Sequence, residues 1–172
     1  MAAAALFLAC TAHAAPPPTP TLKPGLWLLR MQPDDPAVAA RLRELQARLK
    51  DAPPQLRQLA ESMLQQQGAA WAGGDSVHLC LGAADLAGGG WTGAPRGGAC
   101  TTTVTPGAGG ARFHTRCTAP VPSDTEGEAR FLDAEHYTLG TTTTVTTGSG
   151  TRTVRASGQA SWLSAGCGEL GR

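Results

Sequence analysis

Four cysteines, Cys80, Cys100, Cys117 and Cys167, run through the glycine- and threonine-rich part of this 172-residue chain, and they limit its folding more than any other feature. A fifth, Cys10, follows an apolar run from Ala2 to Ala9 and precedes Ala12-His13-Ala14, a small-x-small site suited to signal peptidase. Cleavage after Ala14 removes Cys10. It leaves an even cysteine set in an oxidising compartment, where thiols pair. No Lys or Arg precedes Lys23, although a basic n-region is usual. A second reading takes Leu8-Ala9-Cys10 as a lipoprotein signal with Cys10 lipidated. Phe7 stands where leucine is usual, so the Ala14 site is the better match.

The intervals between neighbouring cysteines are long and no Cys-x-x-Cys occurs. His78 lies near Cys80 and His114 near Cys117, but zinc needs four converging ligands with free thiolates, so disulfides are expected and no metal ligand is assigned. The expected pairs are Cys80 with Cys100 and Cys117 with Cys167. The first closes the Gly-rich stretch Gly82 to Ala99, which has few apolar residues to order itself. The second pins the C-terminal segment to an inward strand position. A bridge from Cys100 to Cys117 requires a different register, because a five-residue turn at Pro106-Gly107-Ala108-Gly109-Gly110 points the two to opposite faces.

The parsing is a signal peptide over residues 1–14, a Pro-rich spacer over 15–22 and a single disulfide-stapled domain over 23–172. Such a length can bury a proper core. A net charge of +1 gives no field to recruit nucleic acid. No mature segment has the apolar length of a transmembrane helix. Glycine at 22, proline at 13 and few aromatics imply many turns around a modest core.

Gly25 to Met31 reads as a short buried strand, apolar on both faces at Leu26-Trp27-Leu28-Leu29. Asp35 then caps a helix with Pro36 at its first position and Val38, Leu42, Leu45 and Leu49 on one face. Pro53-Pro54 breaks it. A second helix carries Leu56, Leu59, Ala60, Met63 and Leu64 and stops at Gly68. This hairpin is expected to cover one face of a sheet, the usual use of such stripes. Its other use is a basic amphipathic surface for lipid or a partner. After Gly73-Gly74 the chain turns to strands: Val77 to Leu81, Thr101 to Thr105, Ala111 to Cys117, Glu128 to Leu132, His136 to Thr147 and Thr151 to Leu163. The threonines of Thr141 to Thr147 fit β-branched strand preference. An α+β, mainly β fold follows: a curved antiparallel sheet or partly closed barrel, with an N-terminal helical hairpin after the first strand.

Catalytic and cofactor chemistry finds no support in the spacing. No Gly-x-Ser-x-Gly elbow is present, and the glycines from Gly88 to Gly98 lead to no Gly-Lys-Ser/Thr. Glu126, Glu128, Asp133 and Glu135 read as solvated carboxylates. A site assembled only in three dimensions remains the alternative, for instance on His114 with Arg112 or Arg116, if a carboxylate meets His114 in a deep pocket.

Several strings resemble the family of domain of unknown function 3617. Lys23-Pro24-Gly25-Leu26-Trp27 is similar to its opening Lys-Pro-Gly-x-Trp motif, and Met63-Leu64-Gln65-Gln66-Gln67-Gly68 to its Met- and Gln-rich helix end. Cys80-Leu81 with Ala83-Ala84-Asp85-Leu86 resembles the next cysteine motif, with Gly82-Ala83 in place of Thr-Pro. Trp162-Leu163 and Gly166-Cys167-Gly168 resemble the closing signature. The resemblance covers Leu22 to Gly168. It implies a small exported bacterial protein of the periplasm or envelope, with structural cysteines and no established activity. A non-catalytic envelope module is therefore expected, binding an apolar small molecule between sheet and helices or contacting an envelope protein. A structural scaffold is the further alternative.

Overall fold

The computed structural model describes residues 21–95, 99–119 and 121–171. The apolar run at residues 2–9, Cys10, the cleavage site at Ala14 and most of the Pro-rich spacer lie outside the described residues. One sheet dominates. Its strands are β1 (Gly25–Pro33), β2 (Ala69–Gly73), β3 (Ser76–Leu81), β4 (Cys100–Gly107), β5 (Gly110–Cys117), β6 (Ser123–Phe131), β7 (His136–Thr147) and β8 (Gly150–Ser164). The spatial order is β2-β3-β1-β8-β7-β6-β5-β4, antiparallel throughout. The sheet curls without closing, so β2 and β4 are free edges. Strands β4 to β8 form a simple meander. The first strand lies between the last and β3.

Alternation assigns the two faces. On β1, Trp27 and Leu29 point into the concave face and Arg30 and Gln32 away from it. The register carries that face across the sheet: Leu79 and Trp162 flank Trp27, and Val77 and Ala160 flank Leu29. Trp27, Leu81 and Tyr137 are the most deeply buried large side chains. Gly127 is obligatory here. A Cβ would strike the ring of Phe113 and lie 2.6 Å from the Gly140 carbonyl oxygen.

Two helices follow β1, α1 (Pro36–Lys50) and α2 (Pro54–Gln66). Asp35 caps α1 as expected, its Oδ1 accepting from the Ala37 N–H at 2.8 Å. The helices do not cover the sheet, however. Neither holds a buried residue, and Leu42, Leu45, Leu56, Leu59 and Met63 are 45% to 61% exposed. Only Leu64, at the end of α2, packs against the core. The covering position is taken instead by residues 82–93 of the Gly-rich stretch after β3, which do order themselves. They form α3 (Ala83–Ala87) and a 3-10 turn (Gly90–Thr92). Asp85 accepts from the Gly82 N–H at 2.8 Å, and Trp91 is 3% exposed. One large aromatic anchor suffices where apolar residues are few.

That order removes the reason for joining Cys80 to Cys100, and both expected disulfides are corrected. Cys80 pairs with Cys167, and Cys100 with Cys117. The turn between β4 and β5 is shorter than expected, because Pro106, Gly107 and Gly110 belong to the ladder and only Ala108 and Gly109 remain outside it. Gly109 supplies the positive φ of 72°. This moves the register by one residue, so Cys100 and Cys117 stand directly opposite on one face. Their Cα atoms are 4.1 Å apart, as in a non-hydrogen-bonded antiparallel pair. The other bridge reflects topology. Leu26 of β1 pairs with both Cys80 and Ser164, so the chain leaving β8 crosses one strand to reach β3 at Cys167.

Candidate ligand-binding site

The two ends of the concave face differ. At one, Trp91 meets Phe113 and Phe131 edge-on at centroid distances of 5.7 and 5.4 Å, and Tyr137 stacks at a tilt on Trp27 at 5.4 Å. The Tyr137 hydroxyl donates to the Trp91 carbonyl oxygen at 2.7 Å, and burial pushes its pKa far up, so it remains a donor. This bond fixes the covering turn to β7. The end is filled.

At the other end the inward positions are small hydroxyl residues. Register aligns Thr102, Thr115, Thr125 and Thr143 in a row across β4 to β7. The Thr102 and Thr115 hydroxyls are 2.9 Å apart, and those of Thr125 and Thr143 are 3.0 Å apart. Threonine side chains are too short to meet across a curled sheet. A cavity of about 440 Å³ remains.

Leu29 and Met31 of β1, Val77 and Leu79 of β3 and Phe113 of β5 give the cavity an apolar wall. Thr115, Ser123, Thr125, Thr141 and Thr143 give the opposite wall a set of hydroxyls. Leu64 and Gln67 close one side from the end of α2, and Gly93, Ala94 and Pro95 another. None of these lining side chains is charged. The volume lies in the range of small-molecule sites, roughly 300 to 1,000 Å³. The walls suit a molecule with an apolar body and a few neutral polar atoms.

Of the expected site residues, Cys117 alone lines this cavity; Cys100 is bonded to it at the rim. Cys80 and Cys167 hold the outer face of the filled end. Thr141 and Thr143 are the residues that strand propensity explained without giving them a role. Their signal was the period of two that places alternate threonines on the inner face.

The polar residues of β5 do meet carboxylates, but on the outer face. Arg112, His114 and Arg116 stand opposite Glu128, Glu126 and Asp124. Asp124 Oδ1 lies 2.8 Å from His114 Nε2, and its Oδ2 accepts from Arg116 Nε at 3.1 Å. These bonds, His114 first, hold the Asp124 carboxyl below its usual pKa. The His114 and Asp124 side chains are 43% and 38% exposed, and His114 lines an open depression, so water screens the pair. The arrangement binds two strands and builds no enclosed site. Asp133 and Glu135 belong to the β6–β7 turn, where Asp133 accepts from the Glu135 N–H and contacts His136. Glu135 also pairs with Lys23.

The opening motif sits at the filled end. The Trp27 indole donates to the Lys23 carbonyl at 2.9 Å, the Trp162 indole donates to the Pro24 carbonyl at 3.1 Å, and Lys23 Nζ lies 5.0 Å from the Trp162 ring centre. Lys23 also takes the Ala134 carbonyl through its backbone N–H. Trp27 is buried and Trp162 half-buried, and neither strands its donor.

Neither a curated protein nor a solved structure gives a match to the chain. The motif residues just placed, from the buried Leu22 to the bridged Cys167, span the segment matched by a family model, residues 22–167, described as protein of unknown function (DUF3617), and the chain belongs to that family.

Proposed function

We propose that this protein is an exported, non-catalytic binding module of the cell envelope that holds an amphiphilic small molecule in the threonine-lined end of its curled sheet. The observation that carries the reading is the cavity of about 440 Å³, apolar on one wall and hydroxyl-lined on the other. Apolar groups of a ligand rest on Leu29, Leu79 and Phe113; neutral polar atoms reach the threonine row. Export is supported by the leader pattern and by two disulfides, which persist in oxidising compartments. Among the described residues no helix is long and apolar enough to cross a membrane.

Native mass spectrometry of the protein from its host tests this. The expected result is a bound species released by organic solvent, with occupancy lost in Thr143→Phe, which fills the cavity. Protein that carries nothing and fails to take up a fluorescent monoacylglycerol probe overturns it. Intact mass with and without reduction, in the same sample, reports the cleavage point, any lipid on Cys10 and the number of disulfides. The enzymatic alternative has one observation in its favour, the Asp124 carboxylate on His114. His114→Ala is expected to leave ligand occupancy unchanged.

A further inference from the structure

We infer that the α1–α2 hairpin is a docking surface for an anionic phospholipid bilayer. Among the described residues nothing covers its apolar stripes: Leu42 and Leu45 on α1 and Leu56, Leu59 and Met63 on α2 are all exposed. Leu42, Leu45 and Leu49 recur at helical spacing on one face of α1, and Leu56, Leu59 and Met63 on one face of α2. Leu49, one turn beyond Leu45, and Ala60, one turn beyond Leu56, line a common cleft of about 250 Å³ with the half-exposed Trp71 of β2. Five large apolar side chains exposed on one hairpin mark an interaction site.

Charge selects the occupant. Helix α1 carries Arg41, Arg43, Arg48 and Lys50 against the single acid Glu44, which pairs with Arg48; Lys50 and Arg57 border the shared cleft with one acid, Glu61, and residues 36–66 keep a surplus of basic over acidic side chains. Basic side chains flanking an apolar stripe match anionic headgroups above an acyl layer. A second copy is a poorer occupant, because a two-fold contact sets the same basic helix against itself and like charges oppose it. Helix α2 also connects the two surfaces, since Leu64 and Gln67 at its C-terminal end line the cavity. Docking would bring that cavity beside the bilayer. The inference stands on the hairpin alone and does not require the cavity to hold a ligand.

Vesicle co-sedimentation of the mature protein tests it, with phosphatidylcholine vesicles compared against vesicles half phosphatidylglycerol. The protein is expected to partition onto the anionic vesicles and to leave them as salt rises, since roughly 1 M salt shortens the screening length to about 3 Å. Arg41→Gln and Arg43→Gln should each weaken binding about fivefold. Leu45→Gln with Leu59→Gln should abolish it. All four positions are exposed, so the fold survives, and intact disulfides with unchanged circular dichroism verify that. Thr143→Phe should leave vesicle binding intact, which separates failure of this inference from failure of the ligand reading. Absence of partitioning overturns the inference, as does equal, salt-independent binding to neutral vesicles. A concentration-dependent dimer that the leucine variants dissolve also overturns it and assigns the face to a second copy.

Discussion

The filled and the open end of the concave face are built on the same five-strand meander, with the same alternation and the same hydrogen-bond ladder, yet one is a core and the other a cavity. The difference lies in side-chain reach. Phe113, Phe131 and Tyr137 project far enough to meet Trp91, whereas Thr115, Thr125 and Thr143, on the same strands, reach only a threonine of the neighbouring strand. A curled sheet therefore closes where its inward residues are aromatic and stays open where they are threonine. The two disulfides follow the division: Cys80–Cys167 ties the outer surface of the filled end, and Cys100–Cys117 ties the inner rim of the open one.

Removing each bridge gives the largest test. In the chain-entropy model a closed loop with a separation of 87 contributes about 4.6 kcal/mol, and one of 17 about 3 kcal/mol. Cys80→Ala with Cys167→Ala should thus cost more in urea unfolding than Cys100→Ala with Cys117→Ala. Only the second pair should alter ligand occupancy. The reverse ranking would mean that the open rim, and not the filled end, carries the stability.

Trp91→Ala comes next, at about 4 kcal/mol, because it removes the ring that joins Phe113, Phe131 and Tyr137 and leaves a void. A loss below about 1 kcal/mol by urea denaturation would show that the covering turn is an ornament and that the filled end stands without it. The open end should respond quite differently to an isosteric change. Thr125→Val alone strands the Thr143 hydroxyl and should cost about 1 kcal/mol, while Thr125→Val with Thr143→Val should be nearly neutral. A double-mutant cycle reads this coupling. Ligand occupancy should fall in the double variant despite its stability, and unchanged occupancy would remove the hydroxyl wall from the site.

How much of this was legible in the sequence follows the same boundary. Strand β7 was read at its full extent, and the Asp35 cap and the Gly68 stop were read correctly, because caps, proline and alternation are local signals. The family strings were legible too, since Lys23 to Trp27 and Trp162 lock together at the filled end. Whatever depended on distant placement was not. Strand β2 escaped because Ala69-Ala70-Trp71 has no alternation of its own and becomes a strand only by pairing with β3. The disulfides escaped because one turns on a single-residue register and the other on β1 lying between β8 and β3. An apolar ligand between sheet and helices was expected, but the hydroxyl wall of the cavity was invisible because threonines at alternate positions look the same whether they face water or a hollow; the curl decides, and curl is a property of eight strands together.

The smallest expected effect concerns Asp124, which sits on the outer face of β6 one residue before the cavity's Thr125 and ties β6 to β5 through His114 and Arg116. Its carboxyl has a lower pKa folded than in the unfolded chain, where aspartate titrates near about 3.9. A depressed folded pKa means that the unfolded state takes up the proton first. The contribution is therefore present above pH ~4 and is lost as pH falls through the folded value. Asp124→Asn removes it, so the variant should be slightly less stable than the parent at neutral pH, and the two should converge on acidification. Because the tie acts at the level of the threonine row, hydrogen-exchange protection factors at Thr115 and Thr125, corrected for the intrinsic rate at each pH, should fall in acid before that at Tyr137 does. A uniform fall in protection along β5 to β7 would show that the two ends open as one unit, and the contrast between them would then be one of filling alone and not of stability.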